Sequence, residues 1–210
     1  MMRLAPEGRP FIVGAGVILL ILLLLGWWIA AVAWAVVFVW VIAFFRDPQP
    51  TGDARDRAVL APADGKVVSI IETDEPAFFR DRALRVSIFM NVFDCHVNRY
   101  PCDGVVAYRH YNAGSFGHAG AEKASLSNEQ SSVGLETSRG KVLIRQIAGL
   151  IARRIVTDSH EVGTPVRQAA RMGMIRFGSR VDLFLPRGTQ VRLKVGDRTR
   201  VAQTVVAEWD

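Results

Sequence analysis

The sequence predicts a mostly β chain of the α+β class: a compact β-barrel or sandwich with one or two helices against it, preceded by a hydrophobic helical anchor. Three observations carry this expectation. No residue from Phe11 to Phe45 bears a charge. Beyond that run, short segments rich in β-branched residues recur between Gly, Pro and Asp, which is the rhythm of strands and turns. One later stretch, Ala119 to Gln130, has the Ala, Glu, Lys and Leu content of a helix, while Ile147 to Val156 fits a buried strand or a helix.

A chain of 210 residues suits one domain with an appendage. The uncharged run is long enough to enter a membrane; a buried core helix is the alternative. As one helix it would measure about 50 Å, well beyond a hydrocarbon core of about 30 Å. Two shorter helices fit better, with Gly26-Trp27-Trp28 as the bend of a hairpin or with the tryptophans at an interface. Helices of about 15 residues are short for full crossings, so a re-entrant or locally thinned arrangement is also open. Arg3 and Arg9 precede the run and Arg46, Arg55 and Arg57 follow it. Basic residues at both ends favour keeping both ends cytoplasmic, which a hairpin satisfies. The run exceeds the apolar core of a signal peptide and no small-residue cleavage site stands before Arg46, so it reads as a retained anchor. Residues 1–46 are assigned to the anchor, as one long or two short helices. Residues 47–58, with Pro48, Pro50 and Gly52, form a linker, and 59–210 form the main domain.

Within that domain the expected strands are Val67 to Ile71, Leu84 to Phe89, Gly104 to Tyr111, Lys141 to Ile147, Arg176 to Leu185, Val191 to Val195 and Thr204 to Ala207. Apolar residues alternate on either side of Gly178-Ser179: Ile175 and Phe177 before, Val181, Leu183 and Leu185 after. That pattern describes two half-buried strand segments joined at a glycine.

Composition narrows the function. The formal charge is +6, which beside an anchor fits attraction to anionic lipid. No basic stripe interleaved with aromatics is present, so nucleic acid is not expected as a partner. Cys95 and Cys102 match no zinc spacing and do not make a disulfide framework, and they read as reduced thiols. With four histidines and no Cys/His cluster, no metal site is expected.

Chemistry concentrates at Gly178-Ser179. Glycine admits backbone angles closed to other residues, and the Ser179 hydroxyl is the nearest nucleophile to the preceding carbonyl. Its attack would give an ester by an N-to-O acyl shift, and elimination would leave a pyruvoyl group at position 179. From residue types alone, a Gly-Ser pair between strands is more often a turn or bulge.

The surrounding words change that weighing. Met174-Ile175-Arg176-Phe177-Gly178-Ser179-Arg180-Val181-Asp182 resembles the self-cleavage segment of the short, pyruvoyl-dependent phosphatidylserine decarboxylases of bacteria and archaea. Pro62-Ala63-Asp64-Gly65, Phe93-Asp94-Cys95-His96-Val97-Asn98-Arg99, Lys123-Ala124 with Asn128-Glu129, and Gln146-Ile147-Ala148-Gly149 with Ala152-Arg153-Arg154-Ile155 resemble further signatures in the same order. The resemblance covers most of the chain. It implies a precursor cut between Gly178 and Ser179 into a large chain (1–178) and a small chain (179–210) that stay together as a heterodimer. It implies a pyruvoyl cofactor derived from Ser179, with neither metal nor pyridoxal phosphate. It also implies decarboxylation of phosphatidylserine to phosphatidylethanolamine through a Schiff base, at the cytoplasmic face of the inner membrane, with the lipid bilayer as partner.

The same resemblance assigns residues. His96 matches the catalytic histidine, and histidine titrates near neutral pH unaided. Asp64 matches the acidic partner that orients the base, although Asp-Gly is also ordinary turn chemistry. Longer bacterial members carry a second histidine three residues after the first; here Arg99 stands there, and arginine stays protonated. Either His96 serves both maturation and turnover, or a group such as His118 assists. The loop Asn112-Ala113-Gly114-Ser115-Phe116-Gly117-His118 precedes the expected helix, and Gly114, Ser115 and His118 are candidates for holding the head-group phosphate. A second reading is a non-enzymatic, membrane-tethered adaptor. Pro62 to Val68 and the Val195-Gly196-Asp197 turn also resemble lipoyl- or biotinyl-type barrels. The chain lacks the flanked lysine such carriers modify, and that reading leaves Gly178-Ser179 without a purpose.

Overall fold

A computed structural model describes residues 3–50, 56–114, 128–149, 154–158, 160–176 and 179–209. The chain divides into two compact units, Met1–Gln49 and Pro50–Asp210.

In the first unit the uncharged run folds as two helices, α1 (Arg9–Leu24) and α2 (Trp28–Phe44). The break falls at Gly26, whose φ of +71° is a left-handed conformation that costs glycine nothing. Short strands β1 (Arg3–Leu4) and β2 (Arg46–Asp47) pair antiparallel, so the two ends of the hairpin lie side by side. Trp34 Nε1 donates to the Ala15 carbonyl across the helices at 2.8 Å, and Phe11 stacks on Phe45. Apolar side chains face outward on both helices, Leu24 at 77% and Ile29 at 91% exposure. By length and composition one helix, Pro6–Leu24, is long and apolar enough to cross a membrane.

The second unit is built of strands: β3 (Ala58–Leu60), β4 (Gly65–Glu75), β5 (Asp81–Met90), β6 (Val97–Arg99), β7 (Gly104–Asn112), β8 (Gln130–Thr137), β9 (Gly140–Ala148), β10 (Arg154–Thr157), β11 (Pro165–Val166), β12 (Arg171–Arg176), β13 (Ser179–Leu185), β14 (Gln190–Val191), β15 (Arg198–Thr199) and β16 (Val205–Glu208). Eight of them form one curled sheet in the order β11-β7-β8-β9-β13-β5-β4-β15. Two three-stranded sheets, β10-β12-β6 and β14-β16-β3, complete it. The pairs are antiparallel, so alternate residues share a face. Val67, Val86, Ile88, Leu135, Ile144 and Leu183 fill the main core. Phe78, Ala83, Leu143 and Phe184 form a smaller cluster.

Three expected stretches are modified, resolved or fall partly outside the described residues. Most of the expected Ala119–Gln130 helix lies outside the described residues, and its last residue opens strand β8 instead. Gly134 belongs in that strand because a Cβ there would meet the Phe78 ring and Tyr108 Cβ at 2.9 Å. The described ends of Ile147–Val156 are strand, in β9 and β10, and of Val191–Val195 only Val191 is. The third concerns β13, which is buried along its whole length where a half-buried strand was expected. Its second face is closed by charge: Arg180 and Asp182 lie on it as a buried ion pair.

The chain leaves β12 in one sheet and enters β13 in another. β13 is central, hydrogen-bonded to β5 on one side and β9 on the other. Ser179 is its first residue.

Candidate active site

Ser179 has its register partners on both sides, Met90 of β5 and Ala148 of β9. It is fully buried. Its Oγ makes no hydrogen bond among the described residues. A buried hydroxyl without a partner forfeits roughly 1–3 kcal/mol, so its retention points to chemistry rather than packing. Gly178 lies outside the described residues. The strand before it is joined to the histidine turn, since Ile175 N donates to the His96 carbonyl at 3.2 Å.

His96 is carried by a tight turn after β5. Asn91 N and Asp94 N close that turn on the Asp94 carboxylate and the Asn91 carbonyl, and Arg198 pins Asp94 at 2.6 Å. The imidazole is buried, with Nδ1 3.0 Å from the Asp94 carbonyl. A carbonyl only accepts, so Nδ1 donates to it; in the neutral ring that leaves the lone pair on Nε2.

Asp64 stands in the β3–β4 connection. Its Oδ1 accepts from Val201 N at 2.7 Å and its Oδ2 from Cys95 N at 3.3 Å. The carboxylate thus holds the histidine turn through the residue next to His96 and ties it to the C-terminal segment. Its hydrogen bonds are to backbone, and the ring itself is oriented by the Asp94 carbonyl. Arg99 is committed elsewhere: its Nη1 donates to the Ala169 carbonyl at 3.0 Å. Of the loop residues, Ser115 and His118 lie outside the described residues. Gly114 N donates to Asn112 Oδ1 at 3.3 Å.

Sequence reasoning missed a polar chain inside the core, although two of its members stand in the quoted words. Ser131 Oγ meets Thr157 Oγ1, Thr157 Oγ1 donates to Gln146 Oε1, and Gln146 Nε2 donates to Asn98 Oδ1, each at 2.8 Å. Asn98 Nδ2 then faces Met90 Sδ at 3.7 Å. Four strands, β8, β10, β9 and β6, supply these side chains and deliver them beside the Ser179 register pair.

Burial also shifts the pKa values of groups away from Ser179. Cys95 and Cys102 are buried and not joined in a disulfide, and burial, with Asp103 nearby, pushes the Cys102 thiol up to about 12. Burial likewise raises Tyr100 to about 12, and its hydroxyl is 2.9 Å from His160 Nδ1. A concave pocket of about 290 Å³, lined by Asp56, Asp103, Thr137, Arg139 and Trp209 among others, lies by the β8–β9 turn. Ser179 is at the opposite end of β9, beside Ala148.

Fold and site together define a class: a strand-built protein with a serine hydroxyl enclosed where the chain passes between two sheets and a buried histidine on the adjoining turn. Comparison with known proteins supplies the family. Residues 37–207 match the phosphatidylserine decarboxylase family, and the chain belongs to it. It is 44% identical over 207 residues, 98% of this chain and 95% of the relative, to the phosphatidylserine decarboxylase proenzyme of Nitrosomonas europaea. Against the proenzyme of the same name from Syntrophotalea carbinolica the identity is 46%, over 96% of this chain and 94% of the relative. The Burkholderia vietnamiensis proenzyme is 42% identical over 99% and 96%. None of these names describes a lipoyl or biotinyl carrier.

Proposed function

We propose that the chain is a precursor that cuts itself between Gly178 and Ser179, and that the product decarboxylates phosphatidylserine to phosphatidylethanolamine and CO₂ in phospholipid synthesis. The observation that carries this reading is the Ser179 hydroxyl, buried without a partner among the described residues at the start of a central strand whose approach is bonded to the His96 turn. In the first step His96 Nε2 takes the hydroxyl proton while Oγ bonds to the carbonyl carbon before it. The C–N bond then breaks and its nitrogen takes up a proton, which leaves an ester. Elimination releases the upstream chain as a carboxylate, and hydrolysis of the remaining enamine expels ammonia to leave a pyruvoyl group at position 179.

The residues present suit such a group, because it occupies the place of a fully buried side chain whose oxygen has no partner among the described residues. When formed, a pyruvoyl ketone supplies the electron sink for the pair left behind by departing CO₂. His96 Nε2 is the group assigned to return a proton to the substrate α-carbon. Asp64 and Asp94 keep that turn in place. Cutting before Ser179 does not free the small chain: β13 is paired to β5 and β9, β15 to β4 and β16 to β3, which supports a heterodimer of the two pieces.

The outward apolar faces of α1 and α2 support a membrane anchor, and the flanking arginines support a cytoplasmic site at the inner membrane. A substrate with two acyl chains stays in the bilayer, so the enzyme must come to it. The head-group phosphate is assigned to the loop with Ser115 and His118, on the support of its glycine-rich sequence. Intact mass of the purified protein tests the central step. The expected result is one chain ending at residue 178 and a second, from 179, without a free amine. A single uncut chain in protein that releases CO₂ would refute it.

A further inference from the structure

We infer that Asn98 is a positioning residue for the cleavage at Ser179, and that Gln146 and Thr157 set the direction in which its amide points. The inference rests on the reading that the chain is cut before Ser179.

A carboxamide can face its surroundings with N–H or with oxygen, and the neighbours decide which. Met90 offers a thioether, which accepts weakly and never donates, so Asn98 turns Nδ2 toward it at 3.7 Å. The other side agrees: Gln146 Nε2 donates to Asn98 Oδ1, and Gln146 can do so because its own Oε1 receives the Thr157 hydroxyl. Ser131 completes the chain from β8. Asn98 and Gln146 are fully buried. Every link is a full-strength hydrogen bond except the last, where an amide donor ends on sulfur.

That last link is where Ser179 is. Met90 and Ser179 are register partners on adjacent strands, and Gln146 is the partner of Val181, which lies two residues along on the same face. So a buried donor with only a weak acceptor and a buried hydroxyl with no partner among the described residues both neighbour Met90. A serine oxygen that accepts from Asn98 must turn its own proton away, toward a base, and its negative charge is stabilised as that proton leaves. The relay therefore presets Ser179 for attack, and its polarity matters more than its volume.

The test follows cleavage of the full-length precursor made by cell-free translation with liposomes, by mass and by gel, alongside its melting temperature. Asn98→Asp keeps the shape and the acceptor for Gln146 but removes the N–H, and cleavage should slow about 10- to 100-fold, more than the fall in melting temperature from burying a carboxylate accounts for. Gln146→Glu leaves Asn98 untouched yet cannot donate to Oδ1; the Asn98 amide should reverse and cleavage slow similarly. Thr157→Val, at the far end, should slow it only a few-fold. Met90→Leu removes the competing sulfur at nearly constant volume and should leave cleavage as fast or faster. A packing role predicts another order, with the two isosteric polar changes near wild type and losses following melting temperature. Wild-type rates in both Asn98→Asp and Gln146→Glu would overturn the inference, as would a tenfold loss in Met90→Leu, which also decides the matter if the polar variants do not fold. An uncut wild-type chain would instead count against the proposed function.

Discussion

The two faces of strand β13 handle buried polarity in opposite ways. On one face Arg180 and Asp182 form a closed pair, with Nε 2.6 Å from Oδ1 and Nη2 2.9 Å from Oδ2. Both are nearly inaccessible, and the nearby Glu75 carboxylate is likewise filled, by Phe78 N, Phe79 N and Arg145. On the other face Ser179 shares its side with Val181, Leu183 and Leu185 of the main core and has no hydrogen-bond partner among the described residues. A burial that would be ruinous for unpaired charge is made tolerable by two-point pairing. The neutral hydroxyl next in sequence is left open. Polarity that is satisfied holds the strand, and polarity that is not satisfied is where a reaction can start.

The contrast can be broken from either side. Ser179→Ala should abolish both chain cleavage and CO₂ release, while the melting temperature stays level or rises because an unpaired hydroxyl is gone; surviving CO₂ release would remove Ser179 from the chemistry. On the opposite face, Arg180→Met strands a buried carboxylate and should lower unfolding free energy by about 3–5 kcal/mol, whereas Arg180→Met with Asp182→Leu should recover most of that loss. Equal losses in urea melts of the single and double variants would show that the pair's charge is not what the site requires.

Alkali gives a milder test. Cys102, ordinarily at 9.0, and Tyr100, ordinarily at 10.0, are both pushed up to about 12. Between those values the folded chain keeps protons that the unfolded chain has lost. Their contribution is therefore intact below about pH 9 and is lost as pH rises toward about 12. Cys102→Ala should flatten the fall in urea midpoint over that window; an unchanged slope would contradict burial of the thiol. The smallest effect belongs to the surface. Arg192 and Glu208 meet at 2.6 Å with about half of each side chain exposed, so Arg192→Ala should change stability by no more than about 1 kcal/mol.

Much of the strand content was legible. Alternation and β-branched residues marked the segments that became β4, β5, β7, β9 and β13, because a strand beside an apolar core must present every second residue to it. β6 was not legible, being three residues long. Nor was β8, where Ser131, Ser132 and Gly134 lack the usual strand composition and Gly134 answers to Phe78 and Tyr108 instead. At the site, Ser179, His96 and Asp64 could be picked out only through the family words around them. The partners of Asp64 could not be read at all, since Cys95 and Val201 come to it from distant parts of the chain. The same holds for Asn98, Gln146 and Thr157, which were visible as letters and had no assigned role.

The sequence alone determined what local chemistry can determine: an uncharged N-terminal run that must avoid water, strands with an inward face, and a glycine before a serine. The tertiary structure decided which groups go unsatisfied. Whether a serine hydroxyl lacks a partner, which way a carboxamide points, and whether an arginine is paired all depend on strand register between residues far apart in the chain. No local pattern encodes that register, because it arises only when the whole sheet buries its core at once.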